Sequence, residues 1–401
     1  MKYSIAVVIR IVNILLNVGS GIILARTLSV NDRGEVAIII SVTGSAVILY
    51  SAVYSERILK RKKLNFNTGL QEIEFNLARI IITCTLALLL IQNSIENTSF
   101  FLLIMSFCMI IFGNLNTLFN SIIHNEKSLI VNQLFLVVLT LMYFTLLLLY
   151  SLYFNSTVTS WIIVLCVSNF CIFIGFLLYF KVKKIKIKAL KKFKMKRISL
   201  SDKLKIESWA VYSAAMSQQI LIIGMSQFFP SDYLAKIAIL LSLFSIIGIP
   251  LVPVLPNLIS SPNSFFERLV TLGFKDIFRN VILVSIYGLI IASIIKLLFP
   301  YMYGIKYAQL TETVPIVVLS AIGFSVSQWL SWLSRGLGIF GLSAILNLAP
   351  LLTILFCYFI LTLSINSLFF CLAINYFGVS IFAYLILKRK YSNPVLKSSF
   401  E

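Results

Sequence analysis

The chain has 401 residues, 59% of them hydrophobic and only 12% charged, with a mean hydropathy of +0.98 and a formal net charge of +20. Soluble domains run at roughly 45–50% apolar and about 25% charged residues, so this composition excludes a water-soluble globular protein. A nucleic-acid binder is excluded as well, because the basic residues stand in short stretches between apolar runs and not on a folded polar surface.

In chain order, the apolar windows predict twelve membrane-spanning helices at residues 4–25, 35–54, 76–93, 99–123, 129–153, 159–180, 207–229, 233–255, 278–299, 314–334, 341–363 and 367–387. Each approaches the length needed to cross roughly 30 Å of hydrocarbon as a helix that satisfies its own backbone hydrogen bonds. The expected fold class is therefore an all-α polytopic membrane protein. The first span carries Arg10, Asn13 and Asn17, which makes it too long and too polar for the core of a signal peptide, so it is expected to stay attached.

Orientation follows from the basic residues. With the amino terminus inside, 27 of the 34 Lys and Arg fall in or beside segments on the cytoplasmic side, and only Arg26, Arg33 and Lys306 fall on the other. The positive-inside rule then places both termini in the cytoplasm of what is expected to be a bacterial inner membrane. The remaining four, Arg10, Arg79, Lys236 and Lys296, lie within the predicted spans. The longest polar stretch, residues 181–206, is a basic linker between two groups of six spans. It divides the chain into an amino-terminal lobe (1–180), the linker, a carboxy-terminal lobe (207–387) and a cytoplasmic tail (388–401). Its basic character suits retention inside and contact with anionic membrane lipid, at about 1 kcal/mol per residue.

Polar side chains inside the spans are the functional candidates, since an ionisable group at mid-membrane is costly without a wet cavity or a partner. At about 100° per residue, Asn13, Asn17 and Gly21 fall within about 60° of Arg10 on one face of the first span. In the tenth span Ser320, Ser327, Ser331 and Ser334 share a face, with Gln328 beside them. Asn114, Asn116 and Asn120 in the fourth span and Gln218, Gln219 and Gln227 in the seventh are expected to point inward. The competing account of each Asn, Gln or Ser is hydrogen bonding between helices. For Arg10, Arg79, Lys236 and Lys296 it is snorkelling to the interface, and Arg26, on the outer side, is a further cavity candidate. The eighth span ends in Pro250, Pro253 and Pro256, whose spacing breaks the hydrogen-bond ladder and makes a kink or hinge there, or simply ends the helix.

Catalytic signatures are missing. No Gly-rich phosphate loop, HExxH or metal cluster occurs, the six cysteines lie inside apolar runs, and the single histidine, His124, falls at a predicted loop. The longest outside loop, 299–313, holds one carboxylate, Glu312. The chain is thus expected to be no enzyme and to need no cofactor or metal. All 14 acidic residues fall at span ends or in loops, whereas Arg10, Lys236 and Lys296 lie within spans. A cation exporter would carry acid at depth, so a cationic interior favours anionic cargo.

The segment Leu298-Phe-Pro-Tyr-Met-Tyr-Gly304-Ile-Lys-Tyr307-Ala through Pro315 and Leu319-Ser320 resembles the opening of the tenth span in Wzx-type polysaccharide flippases. Gly19-Ser-Gly21-Ile-Ile-Leu-Ala25-Arg26-Thr-Leu-Ser with Asn31-Asp32-Arg33-Gly34-Glu35 resembles their first outside turn, and Arg335-Gly-Leu-Gly338 a cytoplasmic turn of small residues. With twelve spans and short loops, the resemblance covers essentially the whole chain. It implies membership of the multidrug/oligosaccharidyl-lipid/polysaccharide (MOP) exporter superfamily and two six-helix lobes around a central cavity. It further implies an undecaprenyl-diphosphate-linked oligosaccharide as cargo, flipped for O-antigen or related surface polysaccharide, with a polymerase and a chain-length regulator as partners. Gly34, Gly304 and the three prolines become pivot candidates. The rival readings are a small-anion transporter, whose Asp-Arg-Gly-Arg-like loop is replaced here by Glu56-Arg57-Ile-Leu-Lys60-Arg61-Lys62-Lys63, and a non-transporting scaffold of the polysaccharide machinery.

Overall fold

The computed structural model describes residues 2–60, 81–95, 98–126, 129–154, 157–182, 213, 216–249, 274–359 and 364–391. Among these, every regular element is helical. In chain order they are α1 (Lys2–Thr27), α2 (Val30–Lys60), α3 (Ile81–Ser94), α4 (Phe100–Glu126), α5 (Leu129–Tyr153), α6 (Val158–Val182), α7 (Met216–Met225) and α8 (Ser231–Ile247). They continue with α9 (Phe274–Tyr303), a 3-10 segment (Ile305–Thr313), α10 (Val314–Gly336), α11 (Phe340–Leu346), α12 (Ala349–Phe359) and α13 (Ile365–Tyr391). Each of the twelve predicted spans overlaps with helix, and the protein is a polytopic membrane protein. Five described segments are by themselves long and apolar enough to cross a bilayer: Phe100–Thr117, Val158–Tyr179, Val281–Tyr303, Ile305–Gly336 and Ile365–Arg389. The prolines 250, 253 and 256, Arg79 and the linker from residue 183 onward lie outside the described residues.

The helix ends follow local chemistry. Gly304 stops α9 at φ 89°, a left-handed conformation that L side chains rarely adopt, and its N–H donates to the Pro300 carbonyl at 2.9 Å. Gly338, at φ 72°, closes α10 in a Schellman turn: its N–H donates to the Arg335 carbonyl at 3.1 Å and the Ile339 N–H to the Ser334 carbonyl at 2.8 Å. This is the small-residue turn read at Arg335–Gly338. The eleventh span differs from the single helix expected. It is split at Asn347 and Leu348, because Pro350 has no N–H with which to bond the Leu346 carbonyl four residues back.

The chain forms two compact units: Met1–Ser208 with Met225–Ala235, and Trp209–Gly224 with Lys236–Glu401. In the first, α1 packs on α5, α2 on α4, and α4 on α6. Phe112 and Phe119 of α4 meet Phe170, Phe173 and Phe176 of α6 at ring separations of 5.2 to 5.9 Å. These rings fill the α4–α6 seam on either side of the Asn116–Asn169 hydrogen bonds. In the second unit α10 is the central helix: 61% of its span window is buried, against 22% for that of α9. Phe324 of α10 lies 5.4 Å from both Phe244 of α8 and Tyr376 of α13. Gly323 lets α13 approach, since a Cβ there would sit 3.1 Å from the Tyr376 side chain.

Candidate functional site

On α1, Asn13 is half-buried and accepts a hydrogen bond from Thr140 Oγ1 of α5, so one member of the polar stripe ties two helices together. Asn17, one turn on, is exposed. The same helix also exposes Val8 (58%) and Leu15 (55%), which at about 100° per residue stand roughly 160° to 180° around the helix from Asn17. Helix α1 therefore has an apolar exposed side and, opposite it, a polar one. Arg10 belongs to α1, but its side chain lies outside the described residues. Arg26 ends the helix and is exposed.

In α4, Asn116 is buried and donates from Nδ2 to the Asn169 carbonyl of α6 at 2.9 Å and to Asn169 Oδ1 at 3.4 Å. Its own Oδ1, like that of buried Asn114, has no hydrogen-bond partner among the described residues. Asn120 carries a side chain outside the described residues. Gln218 on α7 and Lys236 on α8 are half-buried. Lys296 is 49% exposed on α9, with Nζ 3.8 Å from Glu312 of the 3-10 segment. An ion pair this exposed is worth about 0–1 kcal/mol. Glu312→Gln is accordingly expected to leave the melting temperature of the purified protein unchanged, and a fall of several degrees would assign the pair a structural role.

The serine face of α10 serves a helix–helix seam. Ser327 and Ser331 have zero exposure. Ser327 Oγ donates to the Leu346 carbonyl at 2.8 Å, supplying the bond that Pro350 cannot. Gln328 Nε2 donates to Asn347 Oδ1 at 2.7 Å, and Asn347 Nδ2 donates to Ser331 Oγ at 2.9 Å and to the Ser343 carbonyl at 2.6 Å. The Ser331 and Ser343 hydroxyls lie 2.7 Å apart. A broken helix inside a membrane protein leaves backbone groups that another helix has to satisfy, and α10 satisfies them here. In the same helix, Ser320 Oγ bonds the Phe369 carbonyl of α13.

Sequence reasoning missed Asn347, Asn169 and Thr140, each of which is the partner of a residue it singled out. The proline at 350, inside an apolar run, was the available signal for Asn347. It took Arg33 as an orienting charge and a member of the Asn31–Glu35 turn, not as a site residue. Arg33 is in fact 7% exposed at the start of α2, within electrostatic reach of Tyr143, whose ring meets Trp161 edge-on at 5.5 Å. Among the described residues no group of three or more His, Cys, Asp or Glu side chains could hold a metal ion.

No protein-family model matches the chain, nor does any curated protein. Solved structures do. An inward-facing multidrug resistance MATE family transporter of the MOP superfamily superposes with TM-score 0.65 at 13% identity, covering 99% of both chains. The fold is that of the MATE transporters. An outward-facing MATE transporter matches with the same TM-score of 0.65, at 14% identity over 99% of this chain and 95% of the other. The MATE multidrug transporter DinF-BH, solved as a complex, matches with TM-score 0.64, at 15% identity over 96% and 94%. Equal likeness to the two conformations means that the MATE resemblance reports architecture, not functional state. The likeness shows the fold and does not specify a cargo.

Proposed function

We propose that this protein is a flippase of the bacterial cytoplasmic membrane. It carries undecaprenyl-diphosphate-linked oligosaccharide units from the cytoplasmic to the periplasmic leaflet for O-antigen or related surface polysaccharide. The observation that carries the reading is the two-sided helix α1. Its Val8/Leu15 side suits lipid, while its opposite side exposes Asn17 on the same face as Arg10, which suits a water-filled path. The MATE fold supports membrane transport as the general activity. The sign of the charges supports an anion, because a diphosphate crossing a low-dielectric slab needs Arg or Lys and neutral donors to replace its water. The mechanism is alternating access, with the sugars and diphosphate in the wet path and the lipid tail left in the bilayer. Both termini are cytoplasmic, and the polymerase and chain-length regulator are the expected functional partners.

The test is complementation of a flippase-deficient strain with wild type and Arg10→Ala at matched membrane levels. Surface polysaccharide and lipid-linked oligosaccharide in the cytoplasmic leaflet are the readouts. Wild type is expected to restore polysaccharide and Arg10→Ala to lower it about tenfold, equivalent to ~1.4 kcal/mol. Equal restoration by both would make Arg10 an interfacial anchor. Failure of wild type across strains with different repeat units would remove the flippase reading. The multidrug alternative draws on the fold of DinF-BH. It predicts efflux of a cationic dye from cells expressing the chain, and the lack of acidic residues at depth argues against it.

A further inference from the structure

Helices α10 and α13 lie side by side in the second unit and run in the same direction. The Ser320 hydroxyl bonds the Phe369 carbonyl, and further along Phe324 meets Tyr376 at 5.4 Å, while a Cβ on Gly323 would stand 3.3 Å from the Phe377 ring. About three turns beyond Phe324 comes Arg335, and about three turns beyond Phe377 comes Lys388. Both cations therefore stand at the same end of this seam, each on a side by which its helix meets the other. Arg335 is half-buried with its guanidinium 5.6 Å from the centre of the Trp332 ring, and Lys388 and its neighbour Arg389 are exposed. Capping does not account for Arg335, because the Schellman turn at Gly338 already takes the Ser334 and Arg335 carbonyls. Residues 313–400 hold Arg335, Lys388, Arg389, Lys390 and Lys397 but no Asp or Glu, so the whole stretch is cationic.

A track of apolar surface leads to these charges. At about 100° per residue, Ile374, Gly378, Ile381, Leu385 and Lys388 of α13 fall within about 80° of one another. Ile374, Ile381 and Leu385 are each more than half exposed, and Gly378 leaves a notch among them, since a Cβ there would meet nothing within 4 Å. From Gly378 to Lys388 is about 15 Å of helix, half of a ~30 Å hydrocarbon core and so the depth of one leaflet. In a membrane protein an exposed apolar helix face meets lipid, and cations at its end select the headgroup. We propose that the α13 track, with Arg335 and Lys388 at its end, is a binding site for an anionic phospholipid of the adjoining leaflet. One acyl chain lies along Ile381 and Leu385 over the Gly378 notch, and the phosphate is held by the guanidinium and the ammonium. Stacking on Trp332 fixes the plane of Arg335, which suits a fork of N–H donors to phosphate oxygens. A track one leaflet deep matches an acyl chain, whereas a polyprenyl chain would outrun it. The exposed face of α9 differs, because Glu312 stands 3.8 Å from its Lys296 and would repel a phosphate there. The site goes beyond the reading under Proposed function and depends on neither its cargo nor its orientation.

Native mass spectrometry of the delipidated full-length protein, titrated with phosphatidylglycerol or with phosphatidylcholine of the same acyl chains, tests this. Wild type is expected to bind the first phosphatidylglycerol about tenfold more tightly than phosphatidylcholine. Lys388→Gln, at an exposed side chain, should reduce that preference about fivefold, equivalent to ~1 kcal/mol. Gly378→Leu should weaken binding of both lipids, because it fills the notch without touching the α10 seam. Lys296→Gln, outside the site, should change neither. Equal binding of the two lipids by wild type, a preference unchanged by Lys388→Gln, or binding unchanged by Gly378→Leu overturns the site. Glycerol 1-phosphate and undecaprenyl phosphate are added as competitors. Displacement of the phospholipid by glycerol 1-phosphate at equal concentration would make this a site for free phosphate, and tighter binding of undecaprenyl phosphate would give the track to the cargo. Either result overturns the phospholipid assignment.

Discussion

Gly34→Ala is expected to destabilise the protein markedly, while Gly44→Ala on the same helix is expected to be neutral or to stabilise it by up to ~1 kcal/mol. A Cβ at Gly34 would meet the carbonyl group of Ser231 and come within 2.8 Å of its Cα, all of it main chain, so no change of rotamer relieves the overlap. At Gly44 nothing lies within 4 Å of the added atom. Overpacking of this kind costs typically about 1–3 kcal/mol, and the helix propensity of alanine over glycine returns at most ~1 kcal/mol at either site. The measurement is the melting temperature of the two variants in the same detergent. Because the overlap falls on main chain, Gly34→Ala should lower the melting temperature. If the two alanine variants melt together, the close approach of α2 to the α7–α8 tip does not exist.

The second large effect is expected at Asn347. Its amide joins three partners across the break in the eleventh span: it accepts from Gln328 and donates to Ser331 and to the Ser343 carbonyl. Asn347→Leu removes all three contacts and leaves polar groups in a fully buried place, since Ser331 and Ser343 have no exposure. Hydrogen bonds between helices in membranes average about 0.6 kcal/mol and reach about 1.7, so the loss should total ~2–4 kcal/mol. The network acts as a unit, and non-additivity is its signature. Ser331→Ala should cost clearly less in the Asn347→Leu background than in wild type. Thermal denaturation of the single and double variants measures this, and purely additive shifts would show that the seam is a set of independent contacts.

These two sites were unequally legible. The helical character of the predicted spans could be read directly from the sequence, because a chain that cannot hydrogen-bond to lipid must coil its apolar runs into helices. The turn at Gly338 was legible for a local reason too, since a glycine after Arg335 is what a left-handed helix terminus requires. Gly34 was marked as a pivot, but its close approach to Ser231 was not visible, because nearly two hundred residues separate the pair. The polar face of α10 was recognised from its period. What it faced was not, because a helical period says which residues lie together and never which helix lies opposite. The MATE likeness covers the whole chain at 13–15% identity, so the architecture persists where residue identities do not.

The sequence by itself determined that this is a helical membrane protein and where its apolar runs lie; the expected orientation and the preference for an anion are readings of the same local kind. Those properties depend on composition, period and the sign of charge, all of which act within a single helix or a single loop. Only the tertiary structure decided that Ser327, Gln328 and Ser331 bind the broken eleventh span, that Asn13 is tied to Thr140 while Asn17 remains exposed, and that the Ser231 backbone lies against Gly34. A polar side chain in a membrane can be satisfied by another helix or by water, and the choice is made by the packing of elements distant in the chain.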